Sequence, residues 1–559
     1  WANAYTDLSD ALNAKVPYDE VWVAQGTYRP GIVRSAKFII PPNKHVYGGF
    51  AGTESIRSER DRTNNQTILS GDLGIENDYS DNAYHVVVPL QNSLLDGFTI
   101  SDGNASENFG DGDDRGKGGG LYAHSTSFSI VSCTFSNNIA KQGGAAIYFI
   151  DSNATISACT FADNSANSIG YGGALLIEDS NISIAGSTFQ NNLSAYQGGA
   201  IRWTNSVGDV NDSNFTQNQN TLANGAGAIY LDNSPITFNN CIFSENSTLA
   251  NNYGGAVKLS ASSASFSNSM FIRNTCSQNS AGAIYIDSSS SPAFSNNDFH
   301  YNSSGELGGA IVTDSSLTFS GGSFLGNYAK YGGGISSSAS VDLTFEGVLI
   351  LGNESNASNS SSGGFAYFGF RETTSLFVNC LISGNKSTYR NGVFRPAGSN
   401  RFVNCSIVGN ESADDGGITL LFSGDSVELE NSIVWNNTSG SSGNDFFVNG
   451  QSVSANYSIF NPGQSSGTIS GSNNQNIDPG FIDADGADNL YGTIDDNLSL
   501  TSSSPAINSG ATGVSNYPSL DMYGNARVGL PDLGPYELLE NTLPVFVTDG
   551  NQTIYENTT

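Results

Sequence analysis

Gly198-Gly199-Ala200-Ile201 leads to Phe215 and Asn218, and Gly227-Ala228-Ile229-Tyr230-Leu231 then leads to Phe243 and Asn246. The same two-part pattern runs through the middle of the chain. The glycine motif recurs at Gly119-Gly120, Gly143-Gly144, Gly172-Gly173, Gly254-Gly255 and Gly308-Gly309, with looser copies at Gly282, Gly333, Gly364, Gly392 and Gly417. The second motif is an aromatic or aliphatic residue three before an asparagine. It recurs at Phe135/Asn138, Phe161/Asn164, Phe189/Asn192, Phe271/Asn274, Phe299/Asn302, Phe324/Asn327, Ile350/Asn353, Ile382/Asn385, Ile407/Asn410 and Ile433/Asn436. Successive asparagines are 26, 28, 26, 28, 28, 28, 25, 26, 32, 25 and 26 residues apart.

That slack argues against helical repeats, which keep a tight period and need long amphipathic stretches. Here Gly and Ser interrupt every ten residues or so, and apolar residues alternate locally, as short strands require. The expected fold is all-β: a right-handed parallel β-helix of about 12 regular coils with irregular end coils and an N-terminal helical cap. Coils stacked ~4.8 Å apart place equivalent side chains in columns. The Phe column is expected to be an internal aromatic stack. The Asn column is expected at a turn in left-handed conformation, with amides bonded from coil to coil. The Gly pair supplies positive φ and close backbone approach. Five cysteines, Cys133, Cys159, Cys241, Cys380 and Cys405, share one coil position. Side chains stacked that way project in parallel, which suits a small internal filler better than a disulfide.

The expected organisation is a cap and first strand over 1–30, irregular early coils over 31–118, regular coils over 119–440, and terminal coils with a closing cap over 441–540. Residues 541–559, with Leu543-Pro544-Val545-Phe546, read as the start of a cadherin-like or immunoglobulin-like module or a linker, so further domains of the same chain are expected. Acids outnumber bases 52 to 21, for a net charge of −31, which disfavours nucleic acid and anionic membranes as partners. No apolar run is long enough for a membrane span.

With these residues in hand, the repeats resemble those of the chlamydial polymorphic outer-membrane proteins. The start, Trp1 to Tyr28 with Tyr47-Gly48-Gly49-Phe50, and the closing pattern from Asp478 to Glu537 resemble bacterial choice-of-anchor Q proteins. The resemblance implies a pectate-lyase-like β-helix, secreted or held at the cell surface, and no single activity.

Two functions follow as expectations: an extracellular adhesin or structural protein that binds a glycan or surface receptor, and a polysaccharide lyase or glycoside hydrolase. A hydrolase needs paired carboxylates, and a lyase a basic residue beside them. The outward strand position three after each second Gly holds Arg202, Tyr230, Lys258 and Tyr285, then Val312 and Ser336, with no carboxylate, so no catalytic residue is assigned. Tyr faces can stack on sugar rings and Arg or Lys can bind anionic groups, which makes the four a candidate ligand-binding stripe; a plain solvent-facing strand ladder is the other reading. Asp483, Asp485, Asp488, Asp495 and Asp496 crowd one loop, where hard oxygen donors would suit Ca²⁺. An acidic loop from Asp102 to Asp114 offers a second such place. The alternative in both is a solvated acidic turn.

Overall fold

The computed structural model describes residues 1–14, 20–76, 78–107, 114–222, 224–249, 253–358, 363–368, 373–389, 394–395, 398–414, 417–420, 425–440, 445–448, 452–461 and 468–538. Over these the chain is a right-handed parallel β-solenoid with one strand per coil in a 15-stranded sheet that runs from Phe38–Ile40 to Phe446–Val448. A 31-stranded sheet carries two columns: longer strands such as Asn181–Ala185, and three-residue strands such as Thr188–Gln190. Two-residue strands such as Leu193–Ser194 form a 13-stranded sheet. Registers join equivalent residues coil to coil, Ile201 to Ile229 to Val257 and Phe215 to Phe243 to Phe271.

The core is a set of stacks. Rings from Phe135 to Phe324 follow one another at 4.6–5.2 Å, and Ile350, Ile382 and Ile407 continue the column. A second column that the motif search does not isolate runs through Phe238, Phe266, Phe294, Phe319, Phe345, Phe377 and Phe402 at 4.7–5.4 Å.

Each regular coil bends at three corners by one device. A residue takes left-handed φ, and the next points inward. Its side chain accepts the backbone N–H of the equivalent residue one coil earlier, so corner groups that no strand ladder reaches are satisfied. At one corner the inward residues are Ser152, Ser180, Ser206, Ser234 and Ser262. At the second they are serines and the cysteines, with Cys159 N–H bonded to Ser187 and Cys380 N–H to the Cys405 sulfur. All six cysteines are buried free thiols. At the third corner stand the asparagines. From Asn138 to Asn437 each side-chain amide donates to the next Asn Oδ1 at 2.8–3.0 Å.

Two expectations are corrected at this corner. The left-handed residue is the one before the Asn, for example Asp163, Asn191, Gln217, Glu245 and Arg273. The last member is Asn437 with Val434 in the hydrophobic column, one place beyond Ile433/Asn436. Beyond it Asp445 accepts the Asn437 amide and ends the ladder. The Gly pair divides its work as expected: Gly172 has φ +59°, while a Cβ on Gly173 would collide with the Gly199 carbonyl of the next coil.

At the N-terminal end, Asp7 caps a helix over Leu8–Asn13, and Leu8 and Leu12 enter the core. The C-terminal segment departs from the expected closing cap. Residues 477–538 form a strap that packs along the side of the shaft. Leu498 and Tyr536 lie against Leu325, Leu351, Leu381 and Val408, and Leu500, Ala506 and Leu533 against Ile433 and Ile459. The outward residues of these short strands are aliphatic, and burying them is what holds the strap to the side. Residues 541–559 lie outside the described residues.

Candidate functional site

Arg202, Tyr230, Lys258 and Tyr285 are direct neighbours on the outer face of the 15-stranded sheet, as expected from their spacing. They are less open than a solvent-facing ladder would be: Tyr230 is 7% exposed and Lys258 9%. A second set of tyrosines, from the parallel bridges that border the sheet, packs against them. The Arg202 guanidinium lies 4.3 Å from the Tyr171 ring and 3.4 Å from Asp232. The Lys258 ammonium lies 4.3 Å from the Tyr253 ring, 5.4 Å from Tyr230 and 5.6 Å from Tyr285, and among the described residues it forms no ion pair. Burial lowers its pKa to about 8, against the opposing pull of Asp287 and Asp232. Burial also raises the Tyr230 and Tyr285 hydroxyls.

The ribbon extends beyond the four. Lys117 lies 4.3 Å from the Tyr148 ring and 3.0 Å from Glu178, which also accepts the Tyr148 hydroxyl. Tyr285 donates to Asp314 at 3.3 Å. Carboxylates therefore stand beside the stripe, at the strand ends, although none occupies the stripe position itself. Asp287 also caps its turn, through Ser289 N–H and Ser290. Tyr171 and Tyr253 were findable in the sequence: each directly precedes a Gly pair, which places it at the rim of the sheet.

The five aspartates of the strap loop are not gathered round one point. Among the described residues no three His, Cys, Asp or Glu side chains are grouped as a metal ion needs. Asp495 accepts Ala487 and Asp488 N–H, Asp496 accepts Gly492 N–H, and Asp488 accepts Leu490 N–H, so these three shape the loop. The Thr493 hydroxyl bonded to Asp495 holds its carboxyl below the usual range, while burial raises Asp496. Asp483 and Asp485 stand apart from this set. The loop thus does not fit a calcium ion held by all five, and calcium enters no step below. In the earlier acidic loop, Asp111 and Asp113 lie outside the described residues.

The closing motif, Asp521 to Arg527 and Asp532 to Glu537, forms a buried polar latch. Arg527 pairs with Glu537 at 3.0 Å, both nearly solvent-free, and donates to the Gly534 carbonyl and to Asn379 of the shaft. Asp521 accepts three N–H groups, from Tyr523, Asn525 and Glu537. These residues fasten the strap rather than face a ligand.

No helix among the described residues is long and apolar enough to cross a membrane. No curated protein matches the chain. The family described as the right-handed beta helix region matches at residues 91–271, 199–369 and 245–434. Those matches span more than half of the 559 residues, and the registers, corners and stacks above are the structure such a match requires. The chain belongs to the right-handed β-helix family.

Proposed function

We propose that this chain is the shaft of a secreted or cell-surface adhesin or structural protein, binding glycan along the Tyr/Arg/Lys ribbon. The observation that carries the reading is the Lys258 ammonium, walled by Tyr253, Tyr230 and Tyr285 and without an ion-pair partner among the described residues. A sugar carboxylate or sulfate would complete that missing pair, and the half-buried Tyr253 and Tyr285 rings offer faces for the sugar ring. The resemblance of both chain ends to choice-of-anchor Q proteins supports export. A glycan array tests the ribbon. Tyr253→Ala with Tyr285→Ala should abolish acidic-glycan binding while melting is kept. Binding unchanged to every hit rejects it.

A second reading, a polysaccharide lyase, is favoured by one observation: Asp232, Asp287 and Asp314 border the stripe on nearby coils, and Lys258 titrates low enough to serve as a base near neutral pH. Unsaturated sugar product formed from acidic polysaccharide by the wild type, and lost in Lys258→Met, would select it over adhesion.

A further inference from the structure

On the outer face of the short strands, three polar side chains meet that share no sequence motif. Ser323 Oγ lies 2.7 Å from His300 Nε2 and 2.5 Å from Asp298 Oδ1, and Asp298 lies 3.8 Å from the same ring nitrogen. Asp298 and Ser323 are direct neighbours across adjacent coils, and His300 stands two residues along from Asp298.

Their surroundings set them apart. On the preceding coils the first row holds Ile242 and Met270 and the second Ser244 and Ile272, all at least partly exposed. On the following coils they hold Leu325, Leu349 and Leu351. Nearer the N-terminus the first row is Thr134, Thr160, Thr188 and Asn214. The trio therefore joins three hydrogen-bonded polar groups where the immediately adjoining positions, Met270, Ile272, Leu325 and Leu349, are apolar. The backbone departs from the regular corner at the same place: Gly321 and Gly322 take positive φ in succession, and Gly322 stands where the preceding coils carry the inward Ser269 and Asn297. Tyr301, next to His300, lies on the rim of a separate recess of about 790 Å³ against the strap residues Leu490 to Ile494, whose lining does not include the trio.

We propose that Ser323, His300 and Asp298 form an acyl-transfer centre that hydrolyses esters of small, apolar carboxylic acids. Ser323 Oγ forms a bond to the ester carbonyl carbon as its proton passes to His300 Nε2. The tetrahedral species collapses, the carbon–oxygen bond to the alcohol breaks, and the alcohol leaves with that proton. Water then gives its proton to His300, its oxygen attacks the acyl-serine, and the acid departs as Ser323 is reprotonated. At rest the Ser323 hydroxyl donates to Asp298, and it must turn to His300 Nε2, in the tautomer with its proton on Nδ1, before the imidazole can take the proton. Asp298 holds the hydroxyl in place and favours the imidazolium once formed. Burial, by lowering the His300 pKa, keeps the ring neutral and ready to accept. The flanking, partly exposed Met270 and Ile272 suit an apolar acyl group.

This inference stands apart from the glycan ribbon, which lies on another sheet. The test incubates the intact chain with a fluorophosphonate and maps the adduct by peptide mass, alongside hydrolysis of 4-nitrophenyl acetate and butyrate. A phosphonyl adduct on Ser323 and a turnover that falls ~100-fold in Ser323→Ala and in His300→Gln, with melting kept, is the expected result. Wild-type Ser323 left unmodified overturns the proposal without recourse to any variant. So does ester turnover equal in Ser323→Ala and wild type.

Discussion

The coils from Leu121 to Thr313 and those from Leu317 to Phe460 share one architecture but differ in what lies on them. In the first half the left-handed residue before each ladder Asn carries a side chain: Asn137, Asp163, Asn191, Gln217, Glu245, Arg273, Tyr301. In the second it is Gly326, Gly352, Gly384 and Gly409, and then Asn436, whose amide donates to the Tyr491 hydroxyl of the strap. The strap explains the change from Gly352 onward, while a Cβ on Gly326 would meet the Tyr301 ring of the preceding coil. A Cβ on Gly384 or Gly409 would collide with Tyr491, and one on Gly352 would meet the Gly492 carbonyl. The neighbouring corner changes the opposite way. Ser132, Ala158, Gly186 and Asp212 are followed by Asn240, Asn268 and Asn296, and then in the second half by Asn379, Asn404 and Asn431, whose amides bond strap carbonyls at Leu520, Asp532 and Ala511. The contrast teaches that inward positions build the coil and left-handed positions record what covers it.

Four experiments press on that contrast. Arg527→Ala leaves Glu537 buried without its partner and should cost the strap about 4 kcal/mol. Hydrogen exchange should then open residues 477–538 while the coils before Thr313 stay protected; equal loss in both halves would dissolve the distinction. Asn246→Ala strips partners from the Asn218 amide, the Phe215 carbonyl and Asn274, a loss of about 3 kcal/mol in thermal or denaturant melting. Asn385→Ala, under the strap, should lose as much, because the ladder is the same in both halves; exposed Asn181→Ala should lose little.

Asp445 gives the strapped end its own pH response. Burial raises its pKa from 3.8 to about 6, so the folded state binds its proton more tightly than the unfolded one. That contribution is complete below about pH 4 and is lost as pH rises through about 6, roughly 3 kcal/mol in all. Melting across this window should show the slope, and Asp445→Asn should remove it. The smallest effect comes from a matched glycine pair. Gly409→Asn should loosen the strap by about 2 kcal/mol, whereas Gly186→Asn, with nothing within 4 Å of its Cβ and with Asn at ease in left-handed φ, should stay within about 0.5 kcal/mol.

The Phe and Asn columns are legible in the sequence because a stack demands the same residue type once per coil. The serine corners are harder to see: Ser152, Ser180 and Ser206 repeat faithfully, but serine is also common on the surface of this chain. The strap has no local signal for its position. The switch to Gly352, Gly384 and Gly409 is visible, yet it becomes meaningful only when residues about a hundred positions away are placed against it. The ribbon was found by spacing, and its depth was not, because Tyr253 reaches Lys258 from outside the strand. Ser323, His300 and Asp298 come from two coils and one irregular corner, which no periodic reading can join.

The ladder carries a cost for anyone who would make this chain in a eukaryotic host. Two residues after each ladder Asn comes the inward side chain of the next short strand, often Ser or Thr. The fold therefore writes Asn192-Leu193-Ser194, Asn246-Ser247-Thr248, Asn302-Ser303-Ser304, Asn353-Glu354-Ser355, Asn385-Lys386-Ser387 and Asn410-Glu411-Ser412. Each is a glycosylation acceptor by sequence, and each of these asparagines is fully buried. In the folded shaft no transferase can reach them. On a nascent chain entering the endoplasmic reticulum it can, and a single glycan there would wedge two coils apart at the place where their amides must touch.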